Sequence, residues 1–310
     1  MWRPPIGWRL FCDLKLSIKT HCKINLLLNV VGDREDGFHE LEMLMLPVPI
    51  FDSIKVELTG SRIDLNCNHP QIPNGHENLA YQAAEEFRIK AQISDGIRID
   101  LEKNIPVEAG LGGGSGNAAG ILLALNKLHD HALNTSTMQE IASSLGSDVP
   151  FFLQHLPAIA KGRGEIIDPV GNLSLLEGKS LVLVRPKFGI STPWAYKNLS
   201  YFPAAKQRPL GQAKDLALAL KKGLIQKAYK NFYNSLELPV FNKFPLIKII
   251  KEYALAHGAE SALMCGSGST VFAICSNNSK AELLSESFKS NFDPLAMNQI
   301  ITLPGEINPF

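Results

Sequence analysis

A mixed α+β chain in two domains is the fold class the sequence predicts, and three observations carry it. Extended stretches with period-two alternation dominate the first hundred residues. A long apolar helical run follows a cluster of glycines at 110–116. Periodicity then lapses over 171–179 before strand and helix signals resume.

The first extended stretch runs from about Leu14 to Val31. Alternation within it would set Lys23, Asn25 and Asn29 on one face, with Ile24, Leu26 and Leu28 on the other. Asp33 to Gly37 reads as a turn, and Phe38-His39 opens the next extended stretch. The longest apolar run, Met43 to Phe51, is broken by Pro47 and Pro49 and so does not read as a membrane helix. Ser53 to Leu58 and Gly96 to Glu102 alternate as strands, with a helix at Asn78 to Lys90 between them. Residues 106–116 form a glycine-rich loop ahead of a helix at Asn117 to Leu128. A second helix, Thr137 to Leu145, stops at Gly146, a residue type suited to the position after a helix. Ser147-Asp148-Val149-Pro150 leads into Phe151-Phe152-Leu153, and Lys161 to Val170 reads as a hairpin around Gly162 and Gly164. The expected domains are therefore residues 1–170 and 171–310. The second holds a strand at Ser180 to Arg185, helices near Ala213 to Leu220 and Leu246 to His257, and the turn Met264 to Ser269 before a strand at Thr270 to Ile274. The lead-in before Leu14 and the tail after Asn277 carry no usable motif.

Charge and composition narrow the function. With 31 Lys+Arg against 30 Asp+Glu, the chain lacks the basic surplus of a nucleic-acid protein that works by bulk charge. A 45% hydrophobic content excludes a disordered chain. No apolar run approaches the roughly 20 residues a membrane helix needs. The opening MWRPPIGWRLF lacks the core and cleavage site of a secretion signal and reads as a mobile lead-in or an early start codon. Five scattered cysteines without a CxxC argue against a disulfide framework or zinc site and for a reducing cytoplasm.

Four of the five residues from Gly110 to Gly114 are glycine, a density whose entropic cost needs a reason. A backbone that brings several N–H groups to an anion, followed by a helix N-terminus, supplies one, and a phosphate chain is the natural guest. A flexible linker or crowded turn is the plainer alternative. No lysine ends the loop as a Walker A sequence requires, and the third glycine of the dinucleotide fingerprint is missing.

PVEAGLGGGSGNAAG resembles the phosphate loop of the GHMP kinase superfamily. CKINLLLNV, GDREDGFHEL, ENL, EKNIP, LGSDVPFFL, GRGE and CGSGS resemble further motifs of that family, in its order, over residues 22–269. The resemblance implies a two-domain GHMP kinase fold, with a ribosomal protein S5 domain 2-like N-terminal domain and a ferredoxin-like C-terminal one. It implies ATP as co-substrate with Mg2+, and a catalytic centre in the cleft between the domains. Within the family the motifs resemble the branch that phosphorylates the 2-hydroxyl of the methylerythritol moiety of a CDP-linked substrate.

Residue by residue, Asp148 matches the family's general base, although an aspartate before Val-Pro is also a good helix cap. Lys23 matches its partner, which offsets charge on the transferring phosphoryl group; the alternative is a lysine snorkelling from an edge strand. The loop residues Pro106, Val107, Glu108, Ala109, Gly110, Leu111, Gly112, Gly113, Gly114, Ser115 and Gly116, with Asn78 and Lys103, match nucleotide-side positions. Asn25, Phe38, His39, Thr192, Tyr196, Gly266 and Ser267 match substrate-side positions. Phe38 would stack on the cytosine and His39 would read its polar edge. Metal ligands stay unassigned. Glu108 places a negative charge near the phosphates, and Gly116 replaces a serine, which could weaken ATP binding. The implied partner is a small CDP-linked molecule, with no nucleic acid and no membrane, for a cytoplasmic monomer or weak homodimer. The rivals are another GHMP kinase acting on homoserine, mevalonate or a sugar, and a GHMP-fold binding module without activity.

Overall fold

The structure, a computed structural model, describes residues 14–303 except residue 293, so the expected mobile lead-in falls outside the described residues. Two long strands, β1 (Lys15–Asp33) and β2 (His39–Leu58), pair antiparallel over nearly their whole length. β3 (Ile63–Cys67), α1 (Leu79–Ala91) and β4 (Ile97–Glu102) follow. Next come α2 (Gly113–Leu128), α3 (Thr135–Leu145), β5 (Ala158–Gly162) and β6 (Ile166–Pro169). The second half runs through β7 (Ser180–Pro186), α4 (Thr192–Asn198), α5 (Gln212–Lys221), α6 (Ile225–Lys230) and β8 (Tyr233–Asn234). It ends with α7 (Glu237–Lys243), α8 (Pro245–Ala256), β9 (Ser261–Met264), β10 (Val271–Cys275), α9 (Asn278–Asn291) and β11 (Leu295–Thr302).

One sheet has the order β3-β4-β2-β1-β8, with β5 also pairing β2 and β6 pairing β5. The other, β11-β7-β10-β9, is antiparallel throughout and carries α8 and α9. Residue 170 follows β6 of the first sheet and precedes β7 of the second; β8 then returns the chain to β1. α9 and β11 occupy the tail that showed no motif.

One expectation about the long strands changes. β2 runs through Pro47 and Pro49, because it has only β1 beside it there: β5 pairs residues 41–45 and β4 pairs 53–58. With one edge free and a register shift between His21/Cys22, the missing proline N–H groups cost the sheet little. In β1, a bulge between Asn25 and Leu27 resets the alternation. Lys23 and Asn25 stay on one face. Leu28 joins them, facing the same cavity as Lys23, while Asn29 turns to the other side and donates to the carbonyls of Arg208 and Pro209 at 3.2 and 3.3 Å.

α2 begins at Gly113, inside the glycine run, so the loop is shorter than the sequence suggests. Apolar side chains all round bury this helix against α1, α3 and β1. Across the sheets, Leu26 and Leu44 share one apolar cluster with Leu183 and Phe272 of the second half. Glu42, itself buried on β2, accepts from the N–H groups of Gly211 and Gln212 and so caps α5 at 2.9 and 3.2 Å.

Behind α2, His21 donates through Nδ1 to the Cys22 carbonyl at 2.9 Å, leaving Nε2 to accept from His155 Nδ1 at 3.2 Å. Burial, opposed by the Cys22 bond and aided by His155, lowers the His21 pKa from 6.5 to about 4. The unfolded chain therefore binds this proton near pH 6.5 and the folded one only near pH 4. Stability held at neutral pH is lost as pH falls across that window, by about 3 kcal/mol for this group. Denaturant titrations at pH 7.5 and 4.5 test this; His21→Gln should flatten the difference.

Candidate active site

A cavity of about 1020 Å³ opens between the two halves, with Lys23 and Asp148 among its lining residues. The Lys23 side chain is only 6% exposed, so its ammonium must find acceptors inside the protein. Nζ donates to Asn25 Oδ1 at 2.8 Å and to the Gly110 carbonyl at 3.4 Å, and stands 3.4 Å from Asp148 Oδ2. Asp148 precedes the short 3-10 turn Val149–Leu153 without capping it by its side chain. The helix-cap alternative therefore falls, and the carboxylate is free to face Lys23 and the cavity. Asn25 is fully buried and does not reach the cavity, contrary to its expected contact with substrate. Its amide lies 3.3 Å from Met43 Sδ while its oxygen holds Lys23 in place.

The glycine loop is pinned from both halves. The Lys23 backbone N–H donates to the Leu111 carbonyl at 3.0 Å. Gly110 has φ +76°, and a Cβ there would lie 1.9 Å from the Cys265 carbonyl oxygen, so only glycine lets the CGSGS turn close on the loop. Gly112, at φ +73°, is the residue just before α2, and a side chain there would meet Phe152 and the stem of Lys23. Residues 106–115 all line the cavity, and Gly113, Gly114 and Ser115 form the first turn of α2, an N-terminus suited to an anion. Gly116 does not line it. A Cβ at 116 would point to the His21 carbonyl at 3.1 Å and the Phe152 ring at 3.4 Å, so a serine there would face the core. Glu108 lies against Gly189, while Arg185 donates to the Val107 carbonyl at 2.9 Å. Burial lowers the Arg185 pKa and the Glu108 charge opposes that, so an opposite charge faces this unusual carboxylate.

Lys103 and Asn78, expected on the nucleotide side, line one end of the cavity, but their polar groups are already engaged. Lys103 pairs with the buried Asp52 and donates to Asn117 Oδ1 at 2.9 Å; Asp52 also accepts from the backbone of Asn104 and Ile105 at 2.7 and 2.8 Å. Asn78 caps α1, accepting from Ala80 N–H at 2.9 Å, and donates to the Pro73 carbonyl at 2.9 Å. Both residues shape this wall.

At the other end lie Phe38, His39, Thr192, Tyr196, Gly266 and Ser267. Thr192 and Ser267 share a 2.8 Å hydrogen bond, and the His39 ring stacks on Tyr196 with centroids 5.2 Å apart. Burial, then the charge of Asp148, pushes the Tyr196 phenol above its usual range, so it stays protonated. The Arg163 guanidinium stands 4.8 Å over the 49%-exposed Phe38 ring. Sequence reasoning gave no role to Arg163, Asp33 or Lys206, all of which line this end. GRGE and GDREDG held two of them inside quoted motifs, whereas nothing local marks Lys206.

Among the described residues, no group of three or more His, Cys, Asp or Glu stands together to hold a metal. Asp148 and Ser115 both line the cavity and carry side-chain oxygens, the donor type a magnesium ion takes. No helix among the described residues is long and apolar enough to cross a membrane.

Comparison with known proteins follows the same lines. The GHMP kinases N terminal domain matches residues 78–155 and the GHMP kinases C terminal domain matches residues 216–294. A 4-diphosphocytidyl-2-C-methyl-D-erythritol kinase of Clostridium perfringens is 38% identical over 89% of this chain and 94% of its own. One from Acaryochloris marina is 39% identical over 86% and 89%. A crystal structure of 4-(cytidine 5'-diphospho)-2C-methyl-D-erythritol kinase superposes with a TM-score of 0.75 at 33% identity, covering 92% of this chain and 99% of its own. Homoserine kinase from Cytophaga hutchinsonii superposes at 0.76 with 17% identity over 97% and 98% of the two chains, a likeness of fold alone.

Two substitutions test this geometry. Asn25→Leu removes the nearest acceptor of a buried ammonium and should lower stability by about 1–3 kcal/mol in denaturant titration. Gly116→Ser should leave the dissociation constant for ATP within about twofold, while the tight contact with His21 costs about 1 kcal/mol of stability. Tighter ATP binding in that variant would place position 116 at the phosphates after all.

Proposed function

The chain belongs to the GHMP kinases and, among them, to the 4-diphosphocytidyl-2-C-methyl-D-erythritol kinases, and from that premise we propose how its residues carry out phosphoryl transfer. ATP gives its γ-phosphoryl group to the 2-hydroxyl of the methylerythritol moiety of the CDP-linked substrate, and ADP leaves. The observation that carries this reading is the Lys23–Asp148 pair set beside two glycine loops that meet from opposite halves.

Asp148 orients the attacking hydroxyl and takes its proton. An ordinary carboxylate is too weak to strip an alcohol before reaction, but in a loose transition state the proton moves late, when the oxygen is already bonding to phosphorus. Lys23 stabilises the charge spreading over the transferring group, and Asn25 keeps its ammonium aimed. Backbone N–H groups of Gly113 to Ser115 hold the phosphate chain at the start of α2. A magnesium ion on those phosphates, held through Ser115, would supply charge neutralisation. Phe38 and His39 take the cytosine, with Tyr196 behind the imidazole. Thr192, Gly266 and Ser267 close the substrate side from the second half. The described cysteines are free thiols, which suits a reducing compartment, and we place the enzyme in the cytoplasm.

ATP consumption with magnesium, measured against 4-diphosphocytidyl-2-C-methyl-D-erythritol, homoserine and mevalonate, tests the reading. Turnover is expected with the CDP-linked substrate alone, and Asp148→Asn should lower kcat by roughly 10²–10⁴-fold. Turnover with another acceptor would overturn the substrate assignment. ATP binding without any turnover would identify an inactive relative.

A further inference from the structure

The residues around His39 carry a device that the reaction itself does not require. Asp33, at the end of β1, faces His39, the first residue of β2, across the antiparallel pair. His39 Nδ1 lies 2.7 Å from Asp33 Oδ1. A carboxylate only accepts, so Nδ1 carries the proton in that bond, and in the neutral ring Nε2 is left with a lone pair. From the second half, Lys206 Nζ reaches both Asp33 oxygens at 2.7 and 2.8 Å. All three residues line the cavity, and Tyr196 stacks on a face of the imidazole.

We propose that Asp33, clamped by Lys206, is a positioning residue that fixes the tautomer and orientation of His39, and that this makes the site prefer a cytosine to a uracil. The proposal rests on the reading above in taking the nucleobase to His39. Cytosine carries an exocyclic amino group, a donor, where uracil carries a carbonyl, an acceptor. A lone pair on Nε2 opposite that position accepts from the first and repels the second. A ring free to carry its proton on Nε2 would lose the distinction. Lys206, and then His39, hold the Asp33 carboxyl below the usual range, so the acceptor stays charged near neutral pH. Asp33 is 66% exposed at the side chain, hence the effect is one of discrimination by roughly tenfold rather than of stability. Lys206 comes from the second half, so base selection depends on the same closure that assembles the phosphate loops.

Calorimetric titration of the full-length protein with CDP and with UDP, in wild type, Asp33→Ala, Asp33→Glu and Lys206→Met, gives the test. The wild type should bind CDP roughly tenfold more tightly than UDP. Asp33→Ala should bring the two within about threefold, Lys206→Met should fall between, and Asp33→Glu should restore the preference. The ¹⁵N signals of the His39 ring should report Nδ1–H in the wild type and a mixture of tautomers in Asp33→Ala. With the CDP-linked substrate, Asp33→Ala should raise KM by about tenfold and leave kcat within about twofold. Equal binding of CDP and UDP by the wild type, an unchanged preference in Asp33→Ala, or an unaltered ring signal would each overturn the proposal. Loss of discrimination in Asp33→Ala beside a wild type that turns over no substrate would sustain it and overturn the kinase reading instead.

Discussion

A lysine ammonium removed from water needs oxygen atoms around it, and much of this site follows from meeting that need at Lys23. The oxygens come from Asn25 on the same strand and from two distant stretches, the Gly110 carbonyl in the loop before α2 and Asp148 in the turn after α3. None of the three is optional, since losing one leaves a buried charge short of partners. The ammonium thereby ties β1, the glycine loop and the candidate base into one arrangement. The backbone bond from Lys23 N–H to the Leu111 carbonyl holds the loop from the same residue.

The halves meet at this arrangement. A carbonyl at Cys265 packs against the bare Cα of Gly110, and Arg185 reaches across to the Val107 carbonyl. Farther out, Glu42 on β2 caps α5 and Lys206 clasps Asp33. Each link joins a group on the first sheet's side to one in the second half, so the cavity keeps its shape only while the halves stay closed.

Around Lys103, order comes from a buried polar network. Asp52 accepts from two backbone N–H groups, from Asn117 and from Lys103, and Asn117 also donates to Thr20 on β1. Every member has its partner, the condition under which buried charge gives a rigid structure instead of a costly one. The network fixes where the chain leaves β4 and hence where the glycine loop begins.

Much of the site was legible in the sequence because its parts are local. The glycine run, the helix after it, Lys23 two residues from Asn25, and Asp148 ahead of Val149-Pro150 sit in short segments whose chemistry travels with their spacing. Fold class was legible too, since period-two and helical patterns are local. Tertiary structure decided the rest. A bulge after Asn25 exists only because β2 sets the register opposite it, and it sends Asn29 away from Lys23. Gly116 proved to face the core, and Asn25 to hold Lys23 below the cavity, because a helix start and a strand face take their direction from what packs on them. Lys206 and Asp33 are 173 residues apart along the chain and meet only when the second half closes over the turn before β2. Spacing names the groups available for chemistry. Long-range pairing determines which of them share a face, and so which reach the cavity.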